Sequence, residues 1–220
     1  MRRLLLDFGG VVIRTPFELT YRVGSPSWHG PFNPEADPLW TSLQHGAITE
    51  RDYWSRRAAE VFPASDDPVR DLMATLFAPP EREVVRPETM DLIDQADRPA
   101  VLTNDLTRFH DDQWLAEMGL ADLFDPLIDL SFVGYLKPDR RAFRHALEQL
   151  GESPENVVFV DDQPRNVTEA RALGLIAVWF DVTDPTGSVD RARLALQSHS
   201  ALVADAEDGG LIEGPRTGPG

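Results

Sequence analysis

The sequence predicts an α/β protein, a doubly wound parallel sheet interrupted by a small helical insertion, and three observations support this prediction. Short apolar runs of strand length recur along the chain. Amphipathic stretches with helical spacing separate the later runs. A long stretch after the first run contains helical patterns but no convincing strand. Alternating strands and helices are typical of a parallel sheet that helices cover on both faces.

The predicted strands are short apolar runs, several of them rich in Val, Ile and Leu: Leu4–Leu6, Ala100–Thr103, Leu127–Leu130, Val157–Val160 and Ile176–Phe180. The helices predicted between and after the later strands are Arg108–Met118, Arg140–Leu150, Arg165–Leu173 and Val189–Val203. His110 and His145 fall on two of these helices, and we expect both at the surface. Gly119, Gly151 and Gly174 follow helices at positions typical of C-terminal caps, which supports this division of the chain.

The inserted segment spans residues 15–86 and begins with a stretch rich in Pro, Gly and aromatic residues. Its predicted helices are Leu39–His45, Glu50–Val61 and Pro68–Phe77. We therefore predict a core made of residues 1–14 and 87–204, a helical insertion at residues 15–86, and a disordered tail at residues 205–220.

Composition excludes several classes of function. The chain has 220 residues, 21 Lys and Arg against 37 Asp and Glu, and a formal net charge of −16. A surface of that sign repels nucleic acid and anionic membranes, so we expect neither as a partner. The sequence contains no cysteine, which excludes disulfides and thiol nucleophiles. Since no apolar run approaches about 18 residues and no signal-peptide pattern is found, we expect a cytoplasmic protein. We also expect it to be a monomer or a homodimer.

Polar residues follow the predicted strands at their carboxyl ends, where open parallel sheets bind ligands. They are Asp7, the run Thr103-Asn104-Asp105, Lys137 in the loop after the third strand, and the pair Asp161-Asp162. Each alone is equally typical of a helix cap, a turn or a solvated loop. Together, neighbouring carboxylates repel one another unless a cation joins them, and hard oxygen ligands favour Mg²⁺.

Four short segments, DFGGV, LTND, LKPD and VFVDDQPRN, resemble in order and context the motifs of the haloacid dehalogenase-like hydrolase superfamily. The resemblance covers the chain from Arg3 to about Asp181. It implies a Rossmann-like core, and it places the insertion where that superfamily carries a small helical cap. Most members are phosphatases. We call residues 15–86 the cap segment.

The resemblance implies roles for the residues at the strand ends. Asp7 is expected to attack phosphorus and form an aspartyl-phosphate, and Lys137 to neutralise negative charge shared by Asp7 and the phosphoryl group. Thr103 and Asn104 are expected to donate hydrogen bonds to the phosphoryl oxygens. The implied substrate is a small phosphorylated metabolite.

The resemblance also implies a Mg²⁺ site. Its ligands are expected to be the carboxylates of Asp7 and Asp162 and the backbone carbonyl of Gly9. Asp161 is expected to act through a water on the metal, and Asn166 to orient this loop.

Gly9 departs from the superfamily pattern, because most phosphatase members carry there a second aspartate that protonates the leaving oxygen and later activates water. Loss of such a group costs roughly 10²–10⁴-fold in rate. Three interpretations stay open. The substrate has a good leaving group, as a sugar 1-phosphate or an acyl phosphate does; or another group, from the cap segment or Asp105, supplies the proton; or the chain is a weak or silent phosphatase that binds a phosphorylated ligand or a protein partner.

Aromatic residues are frequent in the cap segment. We expect Tyr53 and Trp54 to fill its small helical core. Trp28 and His29 lie in a Gly- and Pro-rich loop, so they are better candidates for facing the cleft, where His29 is a candidate to supply the missing proton. Arg14, just after the first strand, is a further candidate for contact with substrate.

Overall fold

The computed structural model describes residues 2–24 and 26–207. Within those residues, five strands form one parallel sheet with the order β3-β2-β1-β4-β5. The strands are β1 Arg3–Leu6, β2 Ala100–Thr103, β3 Leu127–Asp129, β4 Val157–Asp161 and β5 Ile176–Trp179. The predicted fold class, an α/β doubly wound parallel sheet, is confirmed.

Strand β1 lies at the centre of the sheet, where Leu5 aligns with Ala100 of β2 on one side and with Phe159 of β4 on the other. All four residues of β1 are buried, which explains the continuous apolar run. Strands β2 and β3 lie on one side of β1, and β4 and β5 lie on the other. This change of direction in the strand order leaves a crevice beyond the carboxyl ends of β1, β2 and β4.

Helices cover the sheet and make up the cap segment. The described residues contain α1 Pro38–Gln44, α2 Glu50–Val61, α3 Pro68–Leu76, α4 Pro87–Asp94, α5 Leu106–Phe109, α6 Asp112–Glu117, α7 Arg140–Leu150, α8 Pro164–Ala172 and α9 Pro185–Glu207. None of these described helices combines the length and apolar character needed to cross a bilayer. Helix α9 is longer than predicted and takes in residues 205–207, while the rest of the predicted disordered tail, residues 208–220, lies outside the described residues.

The predicted helix Arg108–Met118 is wrong, because two short helices replace it. Helix α5 ends before His110, and Asp111 then caps α6 by accepting a hydrogen bond from the Trp114 backbone at 2.9 Å. The predicted surface position of His110 is also wrong. Its ring is buried and stacks on Trp114 with 3.7 Å between ring centroids. His145, by contrast, is half-buried on α7 beside Tyr135.

The two ends of the cap segment lie side by side at the sheet edge. The Arg14 backbone donates to the Val84 carbonyl at 2.8 Å, and the Arg86 backbone donates to Val12 at 3.0 Å. The buried Arg86 side chain also donates to the Gly10 carbonyl at 2.9 Å. The chain therefore leaves and re-enters the sheet region through one anchored pair of strand-like segments.

The cap segment has an aromatic core of its own, and Tyr53 and Trp54 are buried in it as expected. Their rings pack edge to face at 4.9 Å, and Phe17 lies 5.2 Å from Trp54. The expectation that Trp28 faces the cleft is wrong. Trp28 is buried against Trp54, and its indole N–H donates to Glu60 at 3.1 Å, because α2 offers it both a ring and an acceptor.

Candidate active site

A cavity lies beyond the carboxyl ends of β1, β2 and β4, between the sheet and the cap segment. Its volume is about 90 Å³, several times the roughly 10–15 Å³ that one water needs. The residues predicted from the strand ends that line it are Asp7, Gly9, Thr103, Asn104, Asp105, Lys137, Asp162 and Asn166. The fold thus brings four separate segments of the sequence together, as predicted from the positions of the strand ends.

Lys137 is the positive centre of this site. Its side chain is buried, and its Nζ lies 2.7 Å from Asp7 Oδ1 and 2.8 Å from Asp161 Oδ2. Burial alone would lower the pKa of Lys137, but the charges of Asp161 and Asp7 outweigh it and raise the pKa above its usual value. The ammonium group is therefore held charged beside the Asp7 carboxylate.

Asp161 is fully buried and serves as the anchor of the β4–α8 loop. Its carboxylate accepts from the Gln163 backbone at 2.8 Å and from the Asn166 amide at 3.0 Å at each oxygen. With Lys137 added, four donor contacts hold this carboxylate. Asp161 and Asn166 therefore fix the loop that carries Asp162.

The carboxylates of Asp7, Asp161 and Asp162 converge, with one oxygen from each lying within 4.8 Å of the others. Burial and the nearby Asp161 charge raise the pKa of Asp7 to about 7, although Lys137 opposes this shift. Burial and the charges of Asp161 and Asp7 also raise the pKa of Asp162 well above its usual value. Since one lysine faces three carboxylates, the residues fit a divalent cation bound to oxygen ligands.

Asn104 and Thr103 lie at the end of β2, but their side chains are placed differently. The Asn104 amide donates to the Lys137 carbonyl at 3.2 Å, and its oxygen accepts from the Lys137 backbone at 2.8 Å. This reciprocal pair fixes the loop that carries Lys137. Thr103 is buried and lines the cavity beside it.

Asp105 lines the cavity too, and it joins the cap segment to the core. The Arg51 guanidinium, on α2, donates to Asp105 Oδ1 at 2.6 Å and 2.9 Å, and also to the Ser131 carbonyl at 3.0 Å. Arg51 Nε also donates to Asp105 Oδ2 at 3.2 Å, so the guanidinium engages both carboxylate oxygens and the contact has a defined geometry. We call it the Arg51 clamp.

Glu50 is a cavity residue that the sequence analysis did not single out. It is the first residue of α2, lies partly buried, and faces the cavity from the cap side. Burial and the charge of Asp105 raise the pKa of Glu50 above its usual value, against the effect of Lys137. The helix start at Glu50 was predictable from the Thr49 cap, but nothing local indicates which way its side chain points.

The remaining wall of the cavity is mostly apolar. The cap segment supplies the aromatic rings of Phe17, Trp40, Trp54 and Phe77, and the core supplies those of Phe8 and Phe109. His110 completes this wall, and burial lowers its pKa to about 3, so its ring is neutral. The cavity therefore has a charged floor at the sheet and an apolar roof.

A family model for haloacid dehalogenase-like hydrolases matches residues 7–174, which contain all four motifs at the strand ends. The chain belongs to this hydrolase family. The order of the motifs and the parallel sheet agree with that assignment.

Individual relatives of this hydrolase are distant. Over 154 residues it is 33% identical to a phosphoserine phosphatase of Thermus thermophilus, a match covering 66% of this chain and 61% of the relative. Over 192 residues it is 26% identical to the drimenol cyclase drtB of Aspergillus calidoustus, covering 84% of this chain and 35% of the relative. The matched region is therefore less than two thirds of the length of either relative.

A solved structure shows the same fold. The magnesium-bound HAD-hydrolase YfnB from Bacillus subtilis superimposes with a TM-score of 0.61 at 17% identity, covering 81% of this chain and 86% of that one.

The two glycines after Asp7 occupy different surroundings in this hydrolase. Gly10 has a φ of +79°, and a Cβ there would lie 2.5 Å from an Asp162 oxygen, so a side chain is excluded. A Cβ on Gly9 would have no neighbour within 4 Å. The missing acidic side chain at position 9 is therefore not a consequence of crowding.

Two further candidates from the sequence do not line this cavity in the described part of the chain. Arg14 is turned away and pairs with Glu18 at 3.3 Å. His29 is exposed, and its backbone N–H donates to Asp37 at 3.3 Å. Arg14 lies where the chain enters the cap segment, and His29 lies in a loop within that segment. Local contacts with Glu18 and Asp37 hold them in these positions.

Proposed function

We propose that this hydrolase is a Mg²⁺-dependent phosphatase that cleaves a small phosphomonoester through an aspartyl-phosphate on Asp7. The observation that carries the proposal is the convergence of Asp7, Lys137 and Asp162 on one cavity. A carboxylate held 2.7 Å from a buried ammonium group is oriented for attack on an electrophile entering that cavity. The Thermus relative named phosphoserine phosphatase supports a phosphomonoester as the substrate class.

In the proposed reaction, Asp7 attacks phosphorus and water then hydrolyses the acyl phosphate, which restores the Asp7 carboxylate. Lys137 would offset the negative charge that Asp7 and the phosphoryl oxygens share. Thr103 would bind a phosphoryl oxygen from the end of β2. Asn104 would contribute through its backbone, since its side chain holds the Lys137 loop.

Mg²⁺ would be held by the carboxylates of Asp7 and Asp162 and by the Gly9 carbonyl. When bound, the ion would neutralise the crowded carboxylates and the phosphoryl oxygens. Asp161 would act by positioning, since Lys137 and Asn166 already engage both of its oxygens. The magnesium-bound relative from Bacillus subtilis supports this choice of ion.

The substrate would carry a compact, largely apolar group on its phosphate. The aromatic roof formed by Trp40, Trp54 and Phe77 favours such a group over a sugar, whose hydroxyls need several hydrogen-bond partners. A sugar 1-phosphate stays a prediction from the motif pattern. We expect the protein to act as a monomer or homodimer in the cytoplasm.

A phosphate-release assay with Mg²⁺ tests the proposal. Substrates should include benzyl phosphate, para-nitrophenyl phosphate, sugar 1-phosphates and acyl phosphates, each with and without EDTA. Release by the wild-type protein that is abolished by EDTA and by Asp7→Asn is the expected result. Release that persists in Asp7→Asn contradicts the nucleophile assignment. No release from any substrate favours instead the silent, ligand-binding interpretation that Gly9 suggests.

A further inference from the structure

We propose that Glu50, on the cap segment, acts as the general acid and base that Gly9 cannot provide. The inference rests on the phosphatase function proposed above and adds a residue to it. Glu50 and Asp7 line the same cavity from opposite sides, Glu50 on the first turn of α2 and Asp7 at the end of β1. A phosphomonoester attacked in line by Asp7 would have its leaving oxygen on the side of phosphorus away from Asp7, towards the cap side where Glu50 lies.

The position of Glu50 is fixed by its neighbours on both sides in the sequence. Thr49 accepts from the Asp52 backbone at 3.1 Å, and Asp52 accepts from the Thr49 backbone at 3.0 Å, so the start of α2 is held by a reciprocal cap. The Arg51 clamp then ties the same turn to Asp105 and to Ser131 of the core. Glu50 is thus presented to the cavity by a rigid turn.

The charge surroundings of Glu50 favour retention of a proton. The groups that act on it are the carboxylates of Asp105, Asp161, Asp7 and Asp162, the ammonium of Lys137, and the Trp54 indole. Among the described residues no ion pair engages Glu50, whereas Arg51 is used by Asp105. Burial and the charge of Asp105 raise the pKa of Glu50, against Lys137 and a hydrogen bond from Trp54. Its place in the cavity lining, opposite Asp7 and without an ion-pair partner among the described residues, leaves its carboxyl group available for proton transfer.

Other titratable groups that line the cavity fit this role less well. Burial raises the pKa of Asp105 too, but Arg51 engages both of its carboxylate oxygens, so neither is open to a leaving group. Burial lowers the pKa of His110 to about 3, so its ring is a neutral imidazole and not the imidazolium that a general acid requires. His29, the residue that the sequence suggested, is exposed and lies outside the cavity lining in the described residues.

Glu50 would give up one proton in the first step of the reaction and take one back in the second. Asp7 forms an O–P bond while the bond from phosphorus to the leaving oxygen breaks, and that oxygen takes the proton of Glu50 to leave as an alcohol. In the second step, water forms a bond to phosphorus while Glu50 removes one of its protons. The bond from phosphorus to Asp7 breaks, inorganic phosphate leaves, and Glu50 is protonated again. The net reaction is hydrolysis of a phosphomonoester.

The test compares two esters whose rings are similar and whose leaving oxygens are not. The leaving oxygen of benzyl phosphate needs a proton, and that of para-nitrophenyl phosphate does not. In Glu50→Gln we expect kcat/KM for benzyl phosphate to fall by about 10²–10⁴-fold, with a far smaller fall for para-nitrophenyl phosphate. The variant should also release a burst of nitrophenol and accumulate phosphorylated Asp7, because the second step lacks its base.

A rescue experiment uses the open space at position 9. Adding Gly9→Asp to Glu50→Gln should restore benzyl phosphate hydrolysis by at least about tenfold, since a carboxylate then stands two residues after the nucleophile. Glu148→Gln, a change at an exposed position on α7, is the matched control and should leave both rates at wild-type values. Urea midpoints of all variants check that each is folded.

The outcomes separate this inference from the phosphatase proposal. Equal losses for both esters in Glu50→Gln, or a benzyl phosphate rate within about threefold of wild type, overturn the role of Glu50 while the phosphatase stands. A burst without rescue by Gly9→Asp still supports the base role of Glu50. If the wild type releases phosphate from none of the substrates, sugar 1-phosphates and acyl phosphates included, the phosphatase proposal fails and the inference fails with it.

Discussion

Two buried carboxylate sites in this protein differ in how fully hydrogen-bond donors and positive charges offset their negative charge. Asp37, inside the cap segment, accepts hydrogen bonds from the backbones of Gly30 and Trp40 and from Tyr53, and forms an ion pair with Arg57. Burial alone would raise the pKa of Asp37, but these donors outweigh burial and lower the pKa. At the sheet edge the balance is reversed, and the pKa of Asp7 is raised to about 7.

The difference separates a carboxylate that the fold stabilises from those to which we assign the proposed function. The donors around Asp37 stabilise its charge within the fold, so folding gains from the group. Asp7 and Asp162 are crowded by like charge, and the fold keeps them in a state that a cation would relieve. Perturbed carboxylates of this kind cluster at functional sites, because activity and not stability retains them.

The largest expected effect on stability is at Asp37. The variant Asp37→Ala leaves Arg57 and four other donors, those of His29, Gly30, Trp40 and Tyr53, without this acceptor, so the free energy of unfolding should fall by about 3–5 kcal/mol. Urea denaturation measures this change. The kinetic constants of the protein that stays folded should be close to wild type. A loss below about 1 kcal/mol would contradict the structural role assigned to this carboxylate.

Asp162→Asn should have the opposite pattern. Removing one carboxylate from the crowded site should leave the unfolding free energy in metal-free buffer unchanged or higher, because like-charge repulsion is relieved. The same change should lower kcat/KM with Mg²⁺ by at least about a hundredfold, since a proposed metal ligand is lost. Urea denaturation and phosphate release measure the two effects. If Asp162→Asn is destabilised but still active, Asp162 is a stabilising carboxylate like Asp37, and the difference between the two sites does not hold.

His110 is buried without a partner that would stabilise its charged form, so its effect on stability should depend on pH. Its pKa is about 3 in the folded chain, against about 6.5 when exposed. Between these values the unfolded chain binds a proton that the folded chain does not, so stability falls as pH decreases from about 6.5 towards 3. The contribution reaches about 1.4 kcal/mol per pH unit. His110→Phe, which keeps a ring against Trp114, should flatten the slope of unfolding free energy against pH; an unchanged slope would show that His110 is not the cause.

The Arg51 clamp joins a partly exposed guanidinium to a buried carboxylate, since Arg51 is 37% and Asp105 3% exposed. Arg51→Met leaves that carboxylate with only Arg108 nearby, so the unfolding free energy should fall by about 1–3 kcal/mol. Because the clamp positions Glu50, kcat/KM should also fall by about tenfold or more. Arg56→Met, an exposed change on the same helix, is the control and should alter neither quantity. A loss of stability without a loss of rate would make the clamp a structural contact like that of Asp37.

The strand ends show how much of the site was predictable. Asp7, Thr103 and Asp161 each follow a short apolar run, and the rules of parallel sheets place such ends at one edge. The catalytic roles of these residues stay predictions, but their convergence is confirmed. The misplaced residues are those in loops, such as Trp28, and the helix that breaks at His110. The hydrophobic periodicity of this stretch is continuous, so it does not show that one helix ends at Phe109 and that Asp111 caps the start of the next.

The sequence by itself determined the sheet, the order of its motifs and the absence of a side chain at position 9. These features depend on neighbours within a few residues and on general rules of chain connection. Only the tertiary structure decided that Glu50 faces Asp7 across the cavity. That placement depends on the Arg51 clamp to Asp105, a contact between residues 54 positions apart that leaves no periodic pattern in the chain.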